Sequence, residues 1–322
     1  MYDSFYGFKE NPFNLTPDPQ FIYLGENHRE ALAQLVYGVR EKKGFIVLTG
    51  EVGTGKTTII RCFLQTLNGN NNTRAAFLFN PKLSVNDFIQ YILRDLGLTI
   101  QGTTKGDYLY TLYEYLINAY QNEEKVVLIV DEAQGLNPAL LEEIRLLSNL
   151  ETSKSKLIQI VLVGQPELNK TLSQMNFRQI RQRINLRHHL QPLSEKETGE
   201  YIRKRLKIAG RKQPLFTDKA VKEVYRKTKG IPRLINVLCD NSLLTGYALD
   251  KKIINEKIVK AAAKDLKLGK KPPASWKWII PGILIIVGFI SFFFIQGEIG
   301  PFLTLLQSLK EIIPSGIQNF FK

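Results

Sequence analysis

Residues 50–57 read GEVGTGKT, a G-x-x-x-x-G-K-[ST] segment, and this stretch limits the folds open to the chain more than any other. An apolar, β-branched run at 45–49 feeds it and a helix-forming segment at 58–67 leaves it, which is the strand–loop–helix setting the motif requires. Gly50, Gly53 and Gly55 let the backbone curl until its N–H groups point at one small volume, and the helix start behind them adds the positive end of its dipole. Such a loop takes phosphate. The expected nucleotide-binding residues are therefore Gly50, Glu51, Val52, Gly53, Thr54, Gly55, Lys56, Thr57 and Thr58, with Lys56 on the β- and γ-phosphates of ATP and Thr57 on Mg²⁺.

Short apolar runs at 75–79, 126–130, 157–163 and 185–190 continue the strand pattern, separated by helical periods at 87–96, 107–120 and 138–149. Strands alternating with helices predict an α/β fold, a parallel sheet with helices on both faces. From Ser194 onward the pattern is all helical, opened by the capping box Ser194-x-x-Glu197. The expected organisation is an N-terminal arm and helix packed on the core (1–43), a P-loop α/β core (44–192) and a small helical lid (193–268). A basic linker (269–277), a transmembrane helix (278–297) and a short amphipathic tail (298–322) complete it.

A second motif lies at the end of the run 126–130, where Asp131-Glu132 follows, the Walker B arrangement. A carboxylate on the metal and a second on the attacking water are the minimum equipment for phosphoryl transfer, so Asp131 is assigned to Mg²⁺ and Glu132 to water. Gln165, at the tip of the next strand, offers an amide to orient water or sense the γ-phosphate. Arg178, Arg181 and Arg183 precede the last strand, placed to reach a neighbouring subunit's γ-phosphate as an arginine finger; which of them does so stays open. Arg233, in the lid segment GIPR, is expected to meet the phosphate from the lid side. The expected catalytic set is Lys56, Glu132, Gln165, Arg178, Arg183 and Arg233.

Charge is unevenly spread: residues 1–153 hold 13 Lys/Arg against 18 Asp/Glu, whereas 154–271 hold 28 against 10. Charge alone does not choose among nucleic acid, anionic lipid and acidic protein as partner. Cys62 and Cys239 lack metal-ligand spacing, and His28, His188 and His189 form no ligand pattern, so neither a metal cluster nor a disulfide framework is indicated. Residues 278–297 contain no charge, enough at about 1.5 Å per residue to cross a core of roughly 30 Å. Five lysines within 264–277 set the expected orientation, with the nucleotide domain in the cytoplasm.

A P-loop, a DE-type Walker B, a polar residue on the next strand, an arginine cluster and a lid with Gly-x-Pro-Arg together resemble an AAA+ ATPase. More closely, FYGFKENPFNLTPDP, HREAL, TGEVGTGKTT, VDEAQ, LVGQPEL, RQRI, LQPLS and GIPRLINVLCD are similar to the ExeA-type ATPases of the bacterial general (type II) secretion pathway. The resemblance covers roughly residues 1–265. It implies a single-pass inner-membrane protein with a cytoplasmic AAA+ module that works as a homo-oligomer with a membrane partner to assemble an envelope secretion machine. Family members often carry a peptidoglycan-binding domain after the span, and 298–322 is too short to form one, so direct wall binding is not expected of this chain; ATPases of exosortase gene clusters or pilus assembly share the pattern. A transposition-helper switch would use the basic lid on nucleic acid, but no helix-turn-helix or winged helix follows the lid, and nucleic acid is not an expected partner.

Overall fold

Val, Ile and Leu fill the strand-forming runs almost without interruption because both faces of the sheet they build are covered. The computed structural model describes residues 2–268 apart from 17, 70, 71, 80, 101 and 154. Its strands are β1 (Phe45–Gly50), β2 (Thr73–Leu78), β3 (Lys125–Val130), β4 (Ile158–Gly164) and β5 (Ile184–Leu190), in the order β2-β3-β4-β1-β5. Every pairing is parallel. Thr49 lies opposite Gly164 and Val130 opposite Leu162, so the C-terminal tips of β1, β4 and β3 are neighbours. That register brings the glycine loop, Gln165 and the Asp131-Glu132 pair to one edge, where α/β sheets bind ligands.

Alternate residues of the strands serve the two faces. Ile46, Leu48, Val127, Ile129, Val161 and Val163 pack with α2 (Glu26–Arg40) and α3 (Lys56–Asn68), after the short α1 (Asp3–Tyr6). Phe45, Val47, Leu128, Val130, Ile160 and Leu162 meet α4 (Val85–Asp95), α5 (Lys105–Gln121) and α6 (Pro138–Leu147) on the other side. Asn137 starts α6 by accepting the Leu140 amide, with Pro138 at the first helical position, where its missing N–H costs nothing. Two short helices, α7 (Glu167–Leu172) and α8 (Arg178–Arg183), link β4 to β5.

The lid consists of α9 (Glu195–Ile208), α10 (Asp218–Thr228), α11 (Pro232–Ala248) and α12 (Glu256–Asp265). Ser194 and Glu197 form the capping box of α9, each side chain taking the other's backbone N–H. The arm corrects one expectation: its first residues pack on the lid, not on the sheet. Tyr2, Tyr6, Phe8 and Phe13 belong to the apolar cluster of α9–α12. The cause is polar as well as apolar. Tyr6 donates to the carbonyls of Leu243 at 3.2 Å and Lys251 at 3.1 Å, and Arg205 Nε donates to the Pro12 carbonyl at 2.6 Å. The lid helices alone leave an apolar face open, and the irregularly spaced aromatics of the arm close it. Helix α2 does pack on the sheet, through Ala31, Leu35 and Val39.

None of the described helices is long and apolar enough to cross a membrane. The linker expected at 269–277, the span at 278–297 and the tail at 298–322 lie outside the described residues.

Candidate active site

The loop between β1 and α3 closes on itself because Gly53 and Gly55 take φ of +81° and +104°, values that residues with a Cβ avoid. Space is short as well: a Cβ on Gly50 would stand 3.0 Å from the Leu190 carbonyl oxygen, and one on Gly53 would stand 2.7 Å from Arg233 Cβ. Thr54 is fully buried and its hydroxyl donates to the Glu51 carbonyl at 2.8 Å, so it pins the loop from beneath. The loop runs directly into α3, whose first residue is Lys56.

Lys56 is 6% exposed, and its Nζ donates to the carbonyls of Gly50 at 2.7 Å and Glu51 at 3.0 Å. Burial lowers its pKa, opposed by the carboxylates of Glu132, Asp131 and Glu51. Next to it, the Thr57 hydroxyl donates to Asp131 Oδ2 at 3.5 Å. Asp131 is buried, which raises its pKa, while the Glu132 N–H on Oδ1 at 2.8 Å and the Lys56 charge act the other way. A hydroxyl and a carboxylate so placed are the hard oxygen donors that Mg²⁺ prefers.

Glu132 is exposed and sits in the left-handed region at φ +50°, ψ +35°. Its Oε2 receives the side-chain amides of Gln134 and, at 3.4 Å, Gln165. A cleft of about 570 Å³ brings together Gly53, Gly55, Lys56, Thr57 and Thr58 with Glu132 and Gln165. Val52 lies on its rim, and Arg233 enters from the lid. The far end is lined by Asn14, Phe21 and Tyr23 of the arm and by Tyr201, Arg205 and Asn236 of the lid. Arg205 is buried there with its guanidinium 4.8 Å from the Phe21 ring centroid, and its Nη1 donates to the Tyr201 hydroxyl at 2.6 Å.

Arg178 and Arg183 do not join this cleft. They belong to α8, which enters β5 at Ile184, opposite Phe45 at the start of β1 and so at the other edge of the sheet from the loop. Arg183 Nη1 donates to the Ser148 hydroxyl at 2.9 Å, whereas Arg178 and Arg181 are exposed.

Two residues near the site, in the segments HREAL and VDEAQ, carry no role that the sequence assigns. His28, on α2, is 3% exposed and its Nε2 lies 2.8 Å from the Thr54 carbonyl oxygen. Burial lowers its pKa, so the neutral ring donates from Nε2 to the loop. Gln134 accepts the Gln165 N–H on Oε1 at 2.9 Å and so ties β3 to β4. Its place three residues after Asp131 is a sequence cue only once the strand order is known.

Residues 39–172 match the family model described as AAA domain. Over 278 residues the chain is 42% identical to General secretion pathway protein A of Aeromonas hydrophila, an alignment covering 86% of this chain and 50% of that one. The chain thus spans about half the length of that curated relative. Among solved structures it is similar to the ORC2 protein of Aeropyrum pernix (TM-score 0.59, 18% identity, 90% of this chain and 80% of that one). Cdc6p of Pyrobaculum aerophilum is similar to the same degree (TM-score 0.60, 18% identity, 79% of this chain and 70% of that one). Identity at that level speaks for the fold alone.

Proposed function

This chain belongs to the family of AAA-domain ATPases related to General secretion pathway protein A, and from that premise we propose that it hydrolyses ATP to drive the assembly or remodelling of an envelope secretion machine. The observation that carries the chemical part is the shared wall of one cleft: Lys56, Thr57 and Glu132 line the same volume from the tips of β1 and β3, and Asp131 stands beside it, 3.5 Å from the Thr57 hydroxyl.

The glycine loop holds the phosphate chain of ATP, and Lys56 leaves the loop carbonyls for the β- and γ-oxygens, where its buried charge gains a counter-charge. Thr57 and Asp131 would hold Mg²⁺, which would supply neutralisation of the phosphate charge. Glu132 accepts a hydrogen bond from the attacking water and orients it on the γ-phosphorus. The water oxygen bonds to the γ-phosphorus as the bond from phosphorus to the bridging oxygen breaks, and the water's proton passes by way of Glu132 to the released phosphate, leaving ADP and inorganic phosphate. Gln165 senses the γ-phosphate from β4, and Arg233 neutralises it from the lid. The purine end of the nucleotide takes the part of the cleft between the arm and α9, beside Phe21.

Arg178 or Arg183 acts in trans, on the nucleotide of a neighbouring copy. Their position at the opposite edge of the sheet supports this, because neither side chain can serve the cleft of its own chain. A homo-oligomer follows from that role. The anchoring role is supported by the uncharged stretch 278–297 and by the 42% identity to a protein named for general secretion. On this reading the chain is a single-pass protein of the bacterial inner membrane with a cytoplasmic ATPase domain and a membrane-embedded partner.

The full chain in detergent is expected to release phosphate from Mg-ATP, and Lys56→Ala to lose both nucleotide binding and turnover. Phosphate release unaffected by Lys56→Ala would defeat the proposal.

A further inference from the structure

We propose that Gln134 is a positioning residue: its side-chain amide fixes one oxygen of the Glu132 carboxylate to the tip of β4 and leaves the other to face water. This rests on the ATP hydrolysis reading and adds a residue that the motif pattern does not assign.

Gln134 lies in the short 3-10 turn Ala133–Gly135 that leaves β3, and both ends of its amide are engaged. Oε1 accepts the backbone N–H of Gln165 at 2.9 Å, and Nε2 donates to Glu132 Oε2. Gln165 Nε2 reaches the same oxygen at 3.4 Å. Two amides therefore converge on Oε2, while Oε1 of Glu132 has no partner among the described residues. A carboxylate with one oxygen committed and one open is oriented; one with both open rotates.

The backbone around this contact is arranged for it. Glu132 occupies the left-handed region, which is unfavourable for a residue with a Cβ and persists only where its surroundings over-determine it. Part of that surrounding is the Glu132 N–H to Asp131 Oδ1 bond at 2.8 Å and the Gly135 N–H to Glu132 carbonyl bond at 2.8 Å. Position 164 is a glycine for a related reason. A Cβ there would stand 2.8 Å from Gln134 Oε1 and 3.3 Å from the Gln134 nitrogen, in the space the amide now fills.

The arrangement also separates two duties. When the Gln165 side chain turns to a γ-phosphate it releases Glu132 Oε2, but its backbone N–H stays on Gln134. The carboxylate thus remains tied to β4 through Gln134 while Gln165 senses the nucleotide. Removing the Gln134 amide leaves Glu132 free to rotate in the liganded state, and a misplaced group of this kind costs rate, not binding.

The test uses the full chain in detergent with two measurements, affinity for a fluorescent non-hydrolysable ATP analogue with Mg²⁺ and steady-state kcat and KM. Gln134→Leu, which keeps volume and loses both hydrogen bonds, is expected to lower kcat about tenfold to thirtyfold. Analogue affinity and KM stay within about twofold. Gly164→Ala, which displaces the amide without altering Gln134 or Glu132, is expected to move kcat in the same direction with affinity kept.

In a Glu132→Gln background the effect of Gln134→Leu should vanish, because a residue that acts through Glu132 has nothing left to position. A purely structural role would lower the residual rate by the same factor in both backgrounds, and that result overturns the proposal. So does a Gln134→Leu kcat within twofold of the parent, or a loss of analogue affinity as large as the loss of kcat. A parent chain that binds the analogue without turning over ATP removes the hydrolysis reading and this inference with it, whereas the other outcomes touch only Gln134.

Discussion

The backbone N–H of Arg233 donates to the carbonyl oxygen of Gly53 across 3.3 Å, so the first turn of lid helix α11 is bonded to the phosphate loop itself. The lid and the loop also lie close at this point: a Cβ on Gly53 would stand 2.7 Å from Arg233 Cβ, so no side chain fits between them. The lid therefore follows the conformation of the loop through main chain, independently of what the Arg233 guanidinium does. Separate substitutions at the two residues should split docking from chemistry.

Gly53→Ala attacks the docking. Its new Cβ would stand 2.7 Å from Arg233 Cβ on a backbone held at φ +81°, and a left-handed non-glycine residue costs roughly 1–2 kcal/mol before any clash is counted. Affinity for Mg-ATP should fall by about tenfold or more, read by titration of a fluorescent analogue, since about 1.4 kcal/mol is a factor of ten.

Arg233→Ala leaves that backbone bond in place and removes the charge. Nucleotide affinity should change by no more than about threefold, while kcat falls about 100-fold, the usual worth of one pre-organised group acting on transition-state charge. Steady-state kinetics beside the binding titration check the split.

His28 gives the fold a dependence on acid. Its ring is buried against the Thr54 carbonyl and its pKa lies below the ordinary value of 6.5, so between the two values the unfolded chain binds a proton that the native chain does not. Stability is therefore present in full above about pH 6.5 and is lost as pH falls through that window. His28→Gln should narrow the drop in Tm between about pH 7.5 and 5.5 seen for the parent, measured by thermal unfolding. His188, whose pKa burial also lowers, is unchanged in the variant, so the difference belongs to His28.

Phe13 tests the attachment of the arm. It is 2% exposed and meets Phe216 edge to face at 6.2 Å between ring centroids. Truncation to alanine in such a site costs about 3–5 kcal/mol. Urea unfolding should report that loss, and proteolysis at native pH should cut the lid before the sheet.

The sheet and the two ligand-bearing tips were legible because they are local. An apolar run such as Val126–Val130 shows its burial in its own residues, and the groups that follow it are placed by chain continuity. Contacts that close over distance were not. His28 meets Thr54 across 26 positions and Gln134 meets Gln165 across 31, and neither residue carries a pattern that names its partner. The expectation that the arm packs on the ATPase core has the same origin. Its aromatics show that they must be buried, but Arg205, 193 positions from Pro12, is what decides where. The arginines of α8 were legible as a cluster, yet a single chain shows only that they lie away from its own cleft.

The central claim is that Glu132 does chemistry on a nucleotide that Lys56, Thr57 and Asp131 hold. It is tested most directly by parallel measurement of Mg-ATP binding and phosphate release for the full chain and its Glu132→Gln variant. The account predicts that Glu132→Gln binds Mg-ATP with an affinity within about threefold of the parent and releases phosphate at least about 100-fold more slowly. Phosphate release at the parent rate, or loss of binding along with turnover, would contradict it.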